Sequence, residues 1–413
     1  MRAILSAPGS RGDVNPMVAI GVALRRRGYE VIISLAQPYA KVAQDAGLIA
    51  EPVIETARFE ELLSNPAMWK PIRGARAILR EIVSDFLPRH ADVIQRYHRP
   101  GETVLVSHPL DLASRIHRDA DPSTPLAGVH LAPSILRTFD DPPRLSPWPI
   151  EVRRPQWLVR AAYYAIDKIA VDPVIAGNVN RARADVGLPP IRRVMHDWWL
   201  SPDRILAMYP DWFAPATHQF APRLVHCGFP LHDAADSPSS LPINRPIVFT
   251  AGTAHHHCRE FFSAAAKACH SLGRPGLLVS THAKNFPDRL PPNMETTGYV
   301  SFAKLFSVAS AVVHHGGIGT TSQCFAAGVP QVVRPMAFDQ FDNTTRVERL
   351  NCGRWLRNDY RITEALQTVL NDAKIIASTE AIKQRIQGDA SERAADEIQR
   401  LMAAAKLNIK SDI

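Results

Sequence analysis

Twice along this chain a short, apolar strand runs into a glycine-rich loop and then into a stretch with helical spacing. No other feature restricts the fold as much. Ala3–Ala7 opens into Gly9–Asp13, and Pro16–Arg27 follows with apolar residues at Met17, Ile20, Val22 and Leu24 before Gly28 stops the helix. Val31–Leu35, Val104–Ser107 and Ala127–Leu131 read as further strands of the same half. Between about 133 and 222 the alternation breaks, in a region rich in Pro, Arg and aromatic residues. It then restarts: Pro246–Thr250 opens into Ala251-Gly252-Thr253-Ala254, helix Phe261–Leu272 and strand Gly276–Ser280 follow, and Ala311–His314 opens into a second glycine-rich loop ahead of a helix to Ala327 and strand Val329–Arg334. Strand–helix alternation of this kind predicts an α/β protein whose parallel sheets are covered by helices on both faces.

The 413 residues accommodate about two domains, each large enough to bury its own core. The Ser/Pro/Asp-rich stretch at 231–245 reads as the linker, leaving domains at 1–230 and 246–390. Two doubly wound, Rossmann-like halves then face a central cleft, because ligands of open α/β sheets bind beyond the carboxyl ends of the strands. With 46% hydrophobic and 21% charged residues, the composition excludes a disordered or fibrous chain. Five scattered cysteines without a C-x-x-C pair fit a reducing cytoplasm. The opening apolar run is too short for a signal peptide, and no stretch approaches the length of a transmembrane helix. The net charge of +8 is spread out; it argues against nucleic acid as a partner and permits peripheral contact with an anionic membrane surface.

The richest motif is His314-His315-Gly316-Gly317-Ile318-Gly319-Thr320-Thr321. Its glycines let the backbone approach an anion, and the following helix offers free N–H groups and the positive end of its dipole, a seat for a diphosphate. His315 and the hydroxyls of Thr320 and Thr321 are further donors. No lysine follows as in a Walker A loop, and the spacing is not G-x-G-x-x-G. Further on, Asp339 and Gln340 follow a strand and offer the acceptors and donor that sugar hydroxyls need; Asp339 and Asp342 equally suit capping of a helix near Asn343. In the first loop, Gly9-Ser10-Arg11-Gly12-Asp13 places a carboxylate just before a helix with Pro16 in its first turn. It is either an N-cap or a general base.

Strand-H-H-G-G-x-G-T-T, then A-G-V-P-Q-V-V-x-P, then D-Q-x-x-N, resembles the donor-binding signature of family 1 glycosyltransferases of GT-B fold. G-S-R-G-D-V-x-P resembles the opening of their bacterial antibiotic and sterol/lipid branch. The resemblance implies an inverting, metal-independent hexosyl transfer from a UDP- or TDP-sugar, with no cofactor, to a hydroxyl of a hydrophobic small molecule or lipid. It implies Asp13 as base, with Gly9, Ser10 and Gly12 in its loop. It further implies His315, Gly316, Gly317, Gly319, Thr320 and Thr321 on the diphosphate and Asp339 and Gln340 on the sugar. Tyr299, Val300 and Gln323 would lie at the nucleobase and ribose, and Gly252, Thr253 and His255 in a facing loop. Plant members carry Glu in place of Gln323 and use a histidine base near the N-terminus, whereas no histidine precedes His90 here. The resemblance also implies that the tail 391–413 packs back on the N-terminal domain, in a monomer or homodimer.

Two other readings stay open: a sugar-nucleotide epimerase of similar shape, and a non-catalytic nucleotide-sugar or lipid-binding protein. Metal binding by His255-His256-His257-Cys258 is disfavoured, because consecutive side chains rarely converge. Asp119-Ala120-Asp121 reads as a polar turn. His108, after a strand, lines an acceptor site or merely supports a loop.

Overall fold

The computed structural model describes residues 1–65, 68, 70–147, 153–215, 217, 219–231, 245–252, 258–298 and 300–411. They form two compact units. The first is built from the described residues of 1–143, 148–230 and 389–413, the second from those of 144–147 and 231–388.

The first unit holds a seven-stranded sheet: β1 (Arg2–Ala7), β2 (Glu30–Ala36), β3 (Ile49–Ile54), β4 (Thr103–Ser107), β5 (Leu126–His130), β6 (Arg204–Ala207) and β7 (Leu224–His226). Their spatial order is β3-β2-β1-β4-β5-β6-β7, with every neighbouring pair parallel. Ile4 lies opposite Ile32 on one side and Leu105 on the other. β1 is buried along its whole length, as helix-covered parallel strands are. The aromatic-rich region after β5 is substantially core: Val171, Ile175, Val179, Val194, Trp198 and Trp199 join the cluster around Ile4, Ile32 and Leu105.

The second unit repeats the plan with six strands: β8 (Ile247–Thr250), β9 (Gly276–Val279), β10 (Met294–Thr297), β11 (Ala311–His314), β12 (Gln331–Val333) and β13 (Gly353–Trp355), in the order β10-β9-β8-β11-β12-β13, all parallel. Alternate residues serve opposite faces: Ile247 and Phe249 enter one core with Phe262 and Leu366, and Val248 enters the other with Leu305 and Phe306.

In each unit the winding reverses between the first strand and the fourth, so the loops leaving those two strands open a crevice. In the first unit these loops follow β1 and β4. In the second they follow β8 and β11.

The helix Ala390–Ser411 belongs to the first unit. Arg27 donates to Glu392 Oε2 at 2.6 Å and to Asp396 Oδ1 at 2.5 Å, and Ala394, Ala395, Ile398 and Met402 are buried. All five cysteines are buried. No helix among the described residues is long and apolar enough to cross a membrane.

Candidate active site

The first crevice is set by an early helix start. The helix runs over Arg11–Arg26, five residues ahead of the predicted Pro16, with Ser10 as N-cap and Asp13 in the first turn. The reciprocal pairing of Ser10 and Asp13 nucleates the turn before the proline arrives. Pro16 then forfeits only one backbone hydrogen bond, to a glycine carbonyl. Asp13 is therefore inside the helix rather than in a loop before it. Its Oδ2 accepts the Ser10 N–H at 2.8 Å. A Cβ on Gly9 would stand 2.0 Å from that oxygen, so the loop requires glycine there. Gly12 has no such crowding.

The other carboxylate oxygen of Asp13 faces His108, which follows β4. His108 Nε2 lies 3.3 Å from Asp13 Oδ1. His108 Nδ1 accepts the Leu110 N–H at 3.2 Å, and the His108 N–H donates to Ser6 Oγ at 2.9 Å. A backbone N–H has only a proton to give. The neutral ring therefore carries its own proton on Nε2, aimed at Asp13. The histidine is buried at 4% exposure while the carboxylate is 31% exposed, so Asp13 is held from behind and open in front. Sequence reasoning left His108 undecided; topology decides its neighbour. His130, at the carboxyl end of β5, was missed altogether. It is buried, its Nδ1 has no partner, and burial followed by the nearby His108 hold its pKa down to about 3.

The second crevice lies at the ends of β8 and β11. His314 is a structural residue: its Nε2 donates to Gln331 Oε1 at 2.9 Å and its Nδ1 accepts the Gly316 N–H at 3.1 Å. Gly316 has φ +89, and a Cβ there would lie 2.8 Å from Val333 Cγ1. The His315 ring is lodged between two glycines. A Cβ on Gly252 would come within 2.8 Å of it, and one on Gly317 within 2.5 Å. Its Nδ1 is shielded and unpartnered, and burial, with His314 beside it, holds the pKa down to about 3. The helix Ile318–Ala327 makes its first internal bond from the Thr321 N–H to Gly317 O, which leaves the N–H groups of Ile318, Gly319 and Thr320 at its open end. The Thr321 hydroxyl, expected as a ligand donor, instead donates to Gly317 O at 3.0 Å. Thr320 is buried beside it.

The segment after β12 closes on the same loop. Asn343 Nδ2 donates to Gly316 O at 2.9 Å and to Asp339 Oδ2 at 2.7 Å, tying Asp339 to the glycine loop. The helix here starts at Gln340, not near Asn343. Gln340 uses its Oε1 to accept the N–H groups of Met336 and Ala337, which fixes the turn. Asp342 is no cap: it accepts from Arg346 Nε at 2.8 Å and from the Arg144 N–H at 3.1 Å. Gln323 donates to Leu231 O at 3.1 Å. The Val300 side chain is buried in the core. Tyr299, Thr253, His255 and most of the linker fall outside the described residues. Asp119 anchors Arg115, Arg183 and the Trp198 indole, and Asp121 closes a turn with Ser123 and Thr124. The D-x-D tract is structural.

His130, His314 and His315 are thus packed as neutral rings, the second with its pKa held at about 4. Unfolded, each titrates near 6.5, so below that pH the unfolded chain binds more protons than the folded one. Stability is expected to be flat above about pH 6.5 and to fall as the pH drops toward 4. The slope for each ring is up to about 1.4 kcal/mol per pH unit, with the largest share from His130 and His314, which are fully buried. Urea unfolding at pH 7, 6 and 5 checks this; a midpoint independent of pH contradicts it.

Comparison with known proteins places this architecture. Residues 3–98 match the glycosyltransferase family 28 N-terminal domain, and residues 277–403 match the erythromycin biosynthesis protein CIII-like C-terminal domain. The O-mycaminosyltylonolide 6-deoxyallosyltransferase of Streptomyces fradiae is 28% identical over 384 residues, covering 85% of this chain and 84% of that protein. The chain is a glycosyltransferase of GT-B fold. Among solved structures, the glycotransferase of kitacinnamycin superposes with a TM-score of 0.73 at 19% identity, covering 97% of this chain and 98% of that one. The glycosyltransferase VinC in complex with DTDP gives 0.67 at 18% identity, covering 98% and 100%. Within this GT-B enzyme, Asp13 lies in the portion matched by the family 28 domain and His315 in the portion matched by the CIII-like domain, while His108 and Gly252 fall outside both.

Proposed function

We propose that this glycosyltransferase moves a hexose from a UDP- or TDP-sugar to a hydroxyl of a hydrophobic small molecule or lipid, with inversion at the anomeric carbon. The observation that carries this reading is the Asp13 carboxylate, gripped by Ser10 and His108 on one side and exposed on the other. Such a group accepts a proton from an incoming hydroxyl as the acceptor oxygen forms its bond to C1. The bond from C1 to the diphosphate oxygen breaks in the same step, and the leaving group carries away the electron pair. The growing charge meets the N–H groups of Ile318, Gly319 and Thr320, the helix dipole and the His315 ring. These fixed dipoles do the work a divalent cation does elsewhere. In this reading the first unit seats the acceptor and the second the donor. Asp339 and Gln340 lie at the sugar, and Tyr299, Val300 and Gln323 at the base and ribose. Gly252, Thr253 and His255 form the loop beside the phosphates. The O-mycaminosyltylonolide 6-deoxyallosyltransferase favours a deoxyhexose donor and an acceptor of that kind, and the DTDP complex of VinC favours a TDP-sugar.

The test is incubation, with a chelator present, of labelled UDP- and TDP-sugars with a panel of hydrophobic alcohols. The expected result is a glycoside whose anomeric configuration, read by proton coupling, is opposite to that of the donor. An epimerised donor, or donor binding without any transfer, defeats the reading.

A further inference from the structure

The first unit carries an exposed apolar face that holds none of the residues assigned above to the transfer chemistry. Helix Gln156–Ile166 continues through a wider turn, Asp167–Val171. Its inward stripe is Val159, Tyr163, Asp167 and Val171, all buried and spaced four apart. The opposite side presents large apolar groups to solvent: Trp157 is 67% exposed, Ile169 72% and Tyr164 49%, with Leu158 on the same side. Between 153 and 171 the single acidic residue is Asp167, and its carboxylate is turned inward to Arg137 and Arg193. The exposed charges of the segment are therefore all cationic, at Arg154, Arg160 and Lys168. Arg160 lies 4.5 Å over the Phe139 ring, and Lys168 and Arg193 lie 6.0 Å and 5.1 Å from the Tyr164 ring centroid, which keeps cations and aromatic groups at one level.

We infer that this face docks the enzyme on an anionic lipid surface. Apolar groups bracketed by cations, with Trp and Tyr among them, match the boundary between acyl chains and negatively charged headgroups. A second copy is a poor occupant. Pairing this face with itself brings cation against cation, and the exposed carboxylate that touches the helix, Asp140, already accepts from Gln156 at its start. No described helix can span a bilayer, so the contact is peripheral. This inference stands apart from the catalytic reading and survives its failure.

The experiment is co-sedimentation of the full chain with vesicles of phosphatidylglycerol and, in parallel, of phosphatidylcholine. The wild type is expected to pellet with phosphatidylglycerol and to be partly released by salt. Trp157→Glu/Ile169→Glu is expected to bind at least about tenfold more weakly. Both positions are exposed, and circular dichroism verifies folding. Arg160→Glu/Lys168→Glu, which keeps the apolar face, is expected to lose the preference for the anionic lipid. No binding by the wild type, or unchanged binding by the apolar variant, overturns the inference. So does a dimer of the wild type that the apolar variant splits, since the face then belongs to a second copy.

Discussion

Asn in place of Asp13 is expected to lower turnover by about 10²–10⁴-fold while leaving donor binding intact, the range by which a positioned general base accelerates proton transfer. The substitution suits the test because it is conservative where folding is concerned. An asparagine oxygen can still accept the Ser10 N–H that Asp13 Oδ2 accepts at 2.8 Å, and asparagine is tolerated in the first turn. What it loses is basicity, together with the acceptor that Asp13 Oδ1 offers to the His108 Nε2 proton, because the second group of asparagine is an NH2. His108 serves as the control for position. His108→Ala removes the group 3.3 Å from Asp13 Oδ1 without touching the carboxylate itself, and a smaller loss, on the order of tenfold, is expected. Single-turnover rates with saturating donor separate the two. Near-normal turnover by a folded Asp13→Asn enzyme removes the aspartate from the chemistry.

The second large effect is expected at His315. Removing one preorganised donor to developing negative charge costs about 10²–10³ in turnover, with a smaller change in ground-state binding. His315→Ala is expected to behave in this way, and calorimetry with UDP or TDP is expected to show a modest loss of affinity. The flanking glycines provide an independent check. Gly317→Ala keeps the imidazole but drives a methyl group to within 2.5 Å of its Nε2, and Gly252→Ala drives one to within 2.8 Å of its Cε1, where φ is +83. Both are expected to mimic the histidine deletion in rate. A His315→Ala enzyme with unaltered turnover contradicts the assignment.

The sheets were legible because buried parallel strands announce themselves as apolar runs, and glycine-rich loops mark where they end. Short strands such as β6, β7 and β13 were not, being three or four residues of mixed character placed by their neighbours. The helix around Asp13 was read as starting too late. Proline is a strong local signal, but the Ser10–Asp13 pairing outweighs it. His315 stands out in the sequence through its glycines. His108 and His130 do not, since what gives them meaning is the strand order, which brings residues about a hundred positions apart to one edge. Thr321 shows the converse: a hydroxyl in a promising motif, spent on its own helix.

The first unit is discontinuous in the chain, with residues 231–388 inserted before its last helix. During synthesis the amino-terminal sheet must therefore wait. The surface of helix Arg11–Arg26 that meets Ala390–Ser411, including the Arg27 guanidinium awaiting Glu392 and Asp396, stays uncovered until the ribosome has finished the whole intervening unit. Emergence of the segment after residue 388, rather than completion of either sheet, is the event that covers this surface, and a chain stopped at residue 388 is left with that seam open.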